Sequence, residues 1–242
     1  KVANMVRPAV VNIKTIVTEK ETPEDYEFFF GGPDEDSPGP RKPSTRKYEG
    51  IASGVIISPE GYILTNEHVV HDAKNIKVTL TDNRSFKGKV VGADTRSDIA
   101  VIKIDAGKDL PYAKLGNSEN AKIGDWAIAI GSPFDLQATF TLGVISAMRQ
   151  SLKIEGTNFK DLIQTDAAIN RGNSGGPLCN INGEVIGINT AIYAPTGVFS
   201  GIGFAIPVNN AKQVMPSLFK SEKIDPAKQE QILKGDDQKK IK

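Results

Sequence analysis

Ser174 stands in Arg171-Gly172-Asn173-Ser174-Gly175-Gly176-Pro177, with a glycine two residues before it and two glycines directly after it. Glycine reaches positive φ without steric cost, so such a segment bends tightly and can turn several backbone N–H groups inward together. A hydroxyl displayed on that bend suits nucleophilic acyl transfer, where nearby N–H groups stabilise the oxyanion that forms when oxygen attacks a carbonyl. The N–H groups of Gly172 and Ser174 are the candidate donors. A plain glycine-rich turn or an anion cradle is the alternative, and this stretch alone does not separate them.

Histidine separates them. A serine hydroxyl needs a base, and the chain has two histidines, His68 and His71, both preceding Ser174. The loop also fits the Gly-x-Ser-x-Gly elbow of α/β-hydrolases, but that fold needs its histidine after the serine. A subtilisin-like order puts the acid before the histidine, and the acids before His68 fall mostly in a segment rich in proline, glycine and charge that holds no buried carboxylate still. The order left is histidine, aspartate, serine, that of chymotrypsin-like barrels. His68 leaves the end of the strand-like run Tyr62 to Thr65, whereas His71 lies beside Asp72 in a polar exit and reads as surface. Asp98 opens the apolar run Ile99 to Ile104, where a partly buried carboxylate needs a partner such as an imidazole N–H; Asp94 and Asp105 read as solvated turn residues. His68 and His71 as a His-x-x-His pair, without further histidines, fall short of a zinc site.

These residues require a sheet framework. The chain has 242 residues, 39% hydrophobic and 24% charged, enough for a sizeable core in one or two units. A net charge of +1 gives no broad field for nucleic acid or an anionic membrane. No run has the length of a membrane span, and no signal peptide is present at Lys1. Short alternating runs between turn signals predict an all-β sandwich or barrel, and the polar connection from Gly107 to Gly116 reads as the passage between two barrels of similar size, with short helices near the termini. The single cysteine, Cys179, excludes an internal disulfide and reads as a small core residue.

The predicted divisions are an N-terminal helix and strand over 1–18, a loop over 19–50, a first barrel over 51–110, a second barrel with the serine loop and a capping helix over 111–219, and a charged tail over 220–242. Within the loop, Phe28-Phe29-Phe30 is costly to leave in water, so it docks on this protein, a neighbouring subunit or a partner. In the second barrel, strands are expected at Trp126 to Ile130 and Thr139 to Ala147, then a polar loop from Met148 to Asp161. Asn182-Gly183 marks a hairpin, and Val208 to Phe219 has helical spacing.

Thr65-Asn66-Glu67-His68-Val69-Val70, Ser97 to Lys103, Thr165 to Pro177, Gly187 to Ala191 and Gly203 to Pro207 together resemble the HtrA (Deg) serine proteases, in the right order. The resemblance runs from about Val2 to Leu218. It implies a double β-barrel, with His68 as general base, Asp98 as its orienting carboxylate and Ser174 as nucleophile. Gly172 and Ser174 would supply the oxyanion N–H groups, with Asn173 between them. By the same resemblance Ala168 and Ile169 form the floor of the side-chain pocket, and Thr190, Ala191 and Ile192 its facing wall. None is acidic, so a basic side chain would meet no buried counter-charge, and small or medium aliphatic residues are the expected preference. No cofactor or metal is implied. Unfolded polypeptides as substrates, a periplasmic or cell-envelope location, homotrimers or multiples of them, and a regulatory role for the 19–50 loop are further implications.

Two departures stand out. Glu67 sits where the family more often has asparagine, adding a charge beside the base, and the PDZ domain that family members usually carry is not within these 242 residues. A second reading from another class is a holdase-type chaperone, suggested by Phe28-Phe29-Phe30 and opposed by the presence of all three triad residues.

Overall fold

The computed structural model describes residues 1–20, 45–107, 109–132, 138–154, 157–170, 172–192, 201–222, 224 and 226–234. Phe28-Phe29-Phe30 lies outside the described residues.

Alternation of apolar and polar residues builds the first sheet. In Asn75–Thr79, Ile76 and Val78 are buried while Lys77 between them is exposed. After a short helix α1 (Val2–Val6) the chain forms β1 (Val10–Lys20), β2 (Thr45–Ile56), β3 (Tyr62–Thr65), β4 (Asn75–Thr79), β5 (Ser85–Lys87), β6 (Lys89–Asp94) and β7 (Ile99–Lys103). A second short helix, α2 (Glu67–Val70), sits between β3 and β4. The seven strands lie in the order β5-β4-β1-β2-β3-β7-β6. Every residue of β3 is buried, the polar Thr65 included, and the strand forms a stiff rear wall for whatever follows Thr65. Val10, Ile13, Val55, Ile63, Leu64 and Ile102 are fully buried in its core, and burying each such side chain contributes about 1.5–3 kcal/mol.

The second unit is a closed barrel of β8 (Trp126–Gly131), β9 (Thr139–Ile154), β10 (Thr157–Thr165), β11 (Pro177–Cys179), β12 (Val185–Ile192) and β13 (Gly203–Pro207), in the order β10-β13-β12-β11-β8-β9. Six strands leave a narrow interior, and small residues fill it: Ala127, Ala129, Ala167 and Ala205 are buried there with Ile145, Ile163, Ile169, Leu178 and Ile186. Helix α3 (Val208–Leu218) lies against the first sheet, where a Cβ on Gly92 would come within 2.6 Å of Leu218 O. Phe219 follows, packed edge-on to Tyr62 with ring centroids 5.6 Å apart.

Three expectations change. The first strand continues to Lys20 and the second begins at Thr45, paired in register from Val10↔Val55 to Lys20↔Thr45, so the 19–50 division cuts into strand at both ends. The expected polar loop from Met148 to Asp161 is mostly ladder, since β9 runs on to Ile154 and β10 starts at Thr157. In both places the sequence is polar, and the pairing comes from backbone groups of the partner strand. The charged tail holds a fourth helix, α4 (Pro226–Lys234), and Ile224 and Ile232 are buried against the first core. No helix of the described residues is long and apolar enough to cross a membrane.

Candidate active site

Strand β3 ends at Thr65, whose hydroxyl donates to Ser53 O on β2 at 2.8 Å. Asn66 turns the chain into α2, where Val69 and Val70 are buried and His68 faces outward with 49% of its side chain exposed. The first turn of a helix leaves N–H groups without partners. His68 N–H finds one outside the helix, donating to Asp98 Oδ1 at 3.0 Å. The same carboxylate faces the ring of His68, with Nδ1 2.9 Å from both Oδ1 and Oδ2.

Asp98 ends the turn before β7 with φ of 52°, a left-handed conformation that Asp tolerates better than most residues. The surroundings hold it there. Asn66 Nδ2 donates to its carbonyl oxygen at 3.0 Å, and the Thr190 hydroxyl on β12 donates to Oδ2 at 2.6 Å. The carboxylate thus accepts from His68 N–H, the His68 ring and Thr190, which satisfies a group only 8% exposed. Because Nδ1 faces the carboxylate, the ring must present Nε2 on its other side.

Ser174 reaches this site from the second barrel. Its hydroxyl donates to Thr190 O at 3.3 Å, so one threonine touches Asp98 through its side chain and Ser174 through its backbone. Among the described residues, Ser174 and His68 share no hydrogen bond. Gly172 and Gly175 have φ of 98° and 83°, the conformations the glycine pattern anticipates. A Cβ on Gly175 would overlap Thr65 Oγ1 and Ser53 O, so glycine is required there on two counts.

Inside the loop the backbone is tied to itself. Asn173 N–H donates to Asn170 O at 3.0 Å, Gly176 N–H to Asn173 O at 2.9 Å, and Gly175 N–H to Asn189 O at 2.8 Å. Asn173 therefore spends its N–H within the loop. Among the described residues the N–H groups of Gly172 and Ser174 meet no acceptor.

The residues expected to form the side-chain pocket do not share one environment. Ala168 is partly exposed, and its carbonyl accepts from Thr141 Oγ1 at 2.8 Å. Ile169 is 1% exposed, packed in the barrel interior over Gly203. Thr190 is buried with its hydroxyl on Asp98. Ala191 and Ile192 continue β12, paired with Phe204 and Gly203.

Glu67 is also resolved. Its carboxylate is bonded to His71 Nδ1 at 2.6 Å, one helical turn on, so the extra charge beside His68 is matched by His71. That contact, followed by the Coulombic pull of Glu67 and Asp72, raises the His71 pKa above the ordinary imidazole value. Burial pushes the Cys179 thiol far upward, as expected of an inert core residue. The described residues contain no cluster of three or more metal-ligating side chains. Asn66 and Ser53 were given no role by sequence, and Thr190 was expected as pocket wall and not as a partner of Asp98, because serine, threonine and asparagine carry no pattern that marks such a contact.

An open sheet and a closed barrel that bring an imidazole, a buried carboxylate and a glycine-framed serine to their junction define a trypsin-like peptidase. Residues 52–188 match the trypsin-like peptidase domain family, and the chain belongs to it. Within that family it is of the HtrA/Deg type. It is 52% identical over 207 residues to a probable periplasmic serine endoprotease DegP-like protein of Chlamydia muridarum, covering 82% of this chain and 40% of that one. It is 45% identical over 218 residues to the periplasmic pH-dependent serine endoprotease DegQ of Escherichia coli, covering 88% and 46%. The solved structure of a variant of the HtrA-type protease AlgW with decapeptide superposes with a TM-score of 0.79 at 39% identity, over 92% of this chain and 67% of that one. The chain spans less than half the length of the curated relatives it matches.

Proposed function

We propose that the chain is a serine endopeptidase acting on unfolded polypeptides, with His68 as base, Asp98 as its orienting carboxylate and Ser174 as nucleophile. The observation that carries this reading is the contact of His68 Nδ1 with both carboxylate oxygens of Asp98, which leaves Nε2 as the free basic nitrogen. In this reading Nε2 takes the Ser174 proton as Oγ attacks the peptide carbonyl, and returns it to the leaving amine. Water repeats the cycle on the acyl-enzyme. Asp98 holds the ring and stabilises its cation, and the N–H groups of Gly172 and Ser174 receive the oxyanion, each such donor being worth about 10²–10³ in kcat.

The absence of any acidic group among Ala168, Ile169, Thr190, Ala191 and Ile192 supports cleavage after small or medium aliphatic side chains. Folded proteins bury such residues and unfolded ones expose them. The periplasmic names of the relatives support a cell-envelope location, and a homotrimer follows from the family resemblance.

One observation favours a resting form of the same enzyme. The Ser174 hydroxyl donates to Thr190 O, and a rotation about its Cα–Cβ bond must turn it toward His68 before it can react.

The test is digestion of unfolded casein by the protein and by Ser174→Ala, with a serine-directed phosphonate read by mass spectrometry and the cleavage sites mapped. Cleavage after aliphatic residues and labelling at Ser174, both lost in the variant, is the expected result. Labelling without cleavage identifies the resting form. Neither labelling nor cleavage overturns the reading in favour of a chaperone, and cleavage mainly after basic residues overturns the pocket assignment.

A further inference from the structure

Ser53 lies on β2, in the first sheet, at the junction with the second barrel, and none of its surface is exposed. Its polar groups are all engaged. Its N–H donates to Ser174 O at 2.8 Å, its hydroxyl donates to Gly172 O at 2.5 Å and accepts from Ser132 N–H at 2.8 Å, and its carbonyl accepts from Thr65 Oγ1 at 2.8 Å. Two of these bonds grip the serine loop on either side of Asn173.

Their effect follows from the peptide planes. The Gly172–Asn173 plane is held by Ser53 Oγ at its carbonyl and by Asn170 O at its N–H. The Ser174–Gly175 plane is held by Ser53 N–H at its carbonyl and by Asn189 O at its N–H. The plane between them has its carbonyl tied to Gly176 N–H, and its own N–H is that of Ser174. With all three planes fixed, the Ser174 N–H has one direction available. The Gly172 N–H, in the plane before, is related to them by the two backbone dihedrals of Gly172, of which φ is 98°.

The anchor itself cannot drift. Gly54 follows Ser53, and a Cβ there would come within 2.7 Å of Ile63 Cγ2 and 2.9 Å of Ile13 Cδ1, so β2 is wedged between its neighbours. Ser53 thus refers the loop of one barrel to the rigid sheet of the other.

Resting on the serine-endopeptidase reading, we propose that Ser53 is a positioning residue for the oxyanion site: its hydroxyl, by holding the Gly172 carbonyl, keeps the Gly172 and Ser174 N–H groups aimed for the tetrahedral intermediate. It touches no substrate. Electrostatic stabilisation of this kind depends on donors fixed before the charge appears, so loosening the anchor weakens transition-state binding more than substrate binding.

The experiment compares the parent, Ser53→Ala and Asn12→Ala on a fluorogenic peptide with valine at the cleavage position, and measures inhibition by the matching peptide boronate and by the matching product peptide. Asn12 is the control, because its amide donates across the same junction to Ser132 O at 2.6 Å without touching the loop. Ser53→Ala is expected to lower kcat about 10–100-fold with KM within about twofold. The boronate is expected to weaken in proportion to kcat/KM, and the product peptide to bind as before. Asn12→Ala is expected to lower the melting temperature and leave kcat within about twofold of the parent. If Ser53→Ala does not fold, Ser53→Cys, similar in shape but a weak donor, takes its place with the same expected ratios. An active parent whose Ser53 variant keeps kcat and boronate affinity, or loses no more than Asn12→Ala does, overturns the positioning role alone. A parent that neither cleaves nor binds the boronate overturns the endopeptidase reading, and this role with it.

Discussion

Replacing Thr190 with valine removes one hydroxyl while keeping the branched shape. The Asp98 carboxylate then loses its shortest contact, 2.6 Å, and keeps the two from His68. A hydrogen bond to a charged, buried acceptor contributes about 1.5–3 kcal/mol, and for a chain of this size each kcal/mol moves Tm by about 2–4 °C. The expected fall in Tm is therefore roughly 3–12 °C. For activity, the bound is the loss of about 10⁴ in kcat seen when a triad aspartate is made neutral, close to 5.5 kcal/mol. Thr190 supplies one of three donors to the carboxylate, and a third of that energy, about 1.8 kcal/mol, corresponds to a fall of roughly 20-fold in kcat/KM. Thermal melts and steady-state kinetics on the valine peptide check both numbers, with Thr190→Ser expected to restore most of the loss. A valine variant of lowered Tm but kcat/KM within about threefold of the parent would show that the hydroxyl braces the fold and not the site.

Two further outcomes are expected. Gly175→Ala meets a left-handed backbone and overlap with Thr65 Oγ1 and Ser53 O, costs of about 1–2 and 1–3 kcal/mol; Tm should fall by roughly 4–20 °C and casein digestion at least about tenfold, and a variant that matches the parent refutes the crowding. His71, with its pKa raised first by its hydrogen bond to the Glu67 carboxylate, favours the folded state when protonated. The stabilisation is full below the ordinary imidazole value near 6.5 and is lost as pH rises through the raised folded value. The Tm difference between the parent and His71→Gln should thus shrink as pH goes from about 6 to about 9, and a difference that stays constant over that range would sink the assignment.

How much of the site can be read from sequence depends on how rare its residue types are. His68 had one competitor, and Asp98 was marked by the apolar run it introduces; the two lie 2.9 Å apart. Ser174 was marked by glycines whose positive φ is a purely local requirement. Thr190 and Ser53 carry no such mark, since their importance rests on partners 92 and 119 residues away. The same distinction holds for the fold. Tyr62 to Thr65 announces itself as a strand by burial, while Thr18 to Lys20 and Lys153 to Ile154 are strand only because a partner's backbone lies alongside. Ile224 alone and Ile232 with Leu233 are short apolar breaks in a polar, charged stretch, and their burial depends on the first core being within reach. Glu67 taught the opposite lesson: its charge was visible beside His68, but its partner His71, four residues on, decided where that charge was directed.

The 92 residues between Asp98 and Thr190 also set a clock. A ribosome adding about 5–20 residues per second delivers Asp98 some 5–20 s before the threonine that braces it and touches Ser174. Throughout that interval the growing chain carries His68 and Asp98 without the hydroxyl that braces the carboxylate. On the proposed endopeptidase reading, chains still being made therefore do not cut one another while they are unfolded.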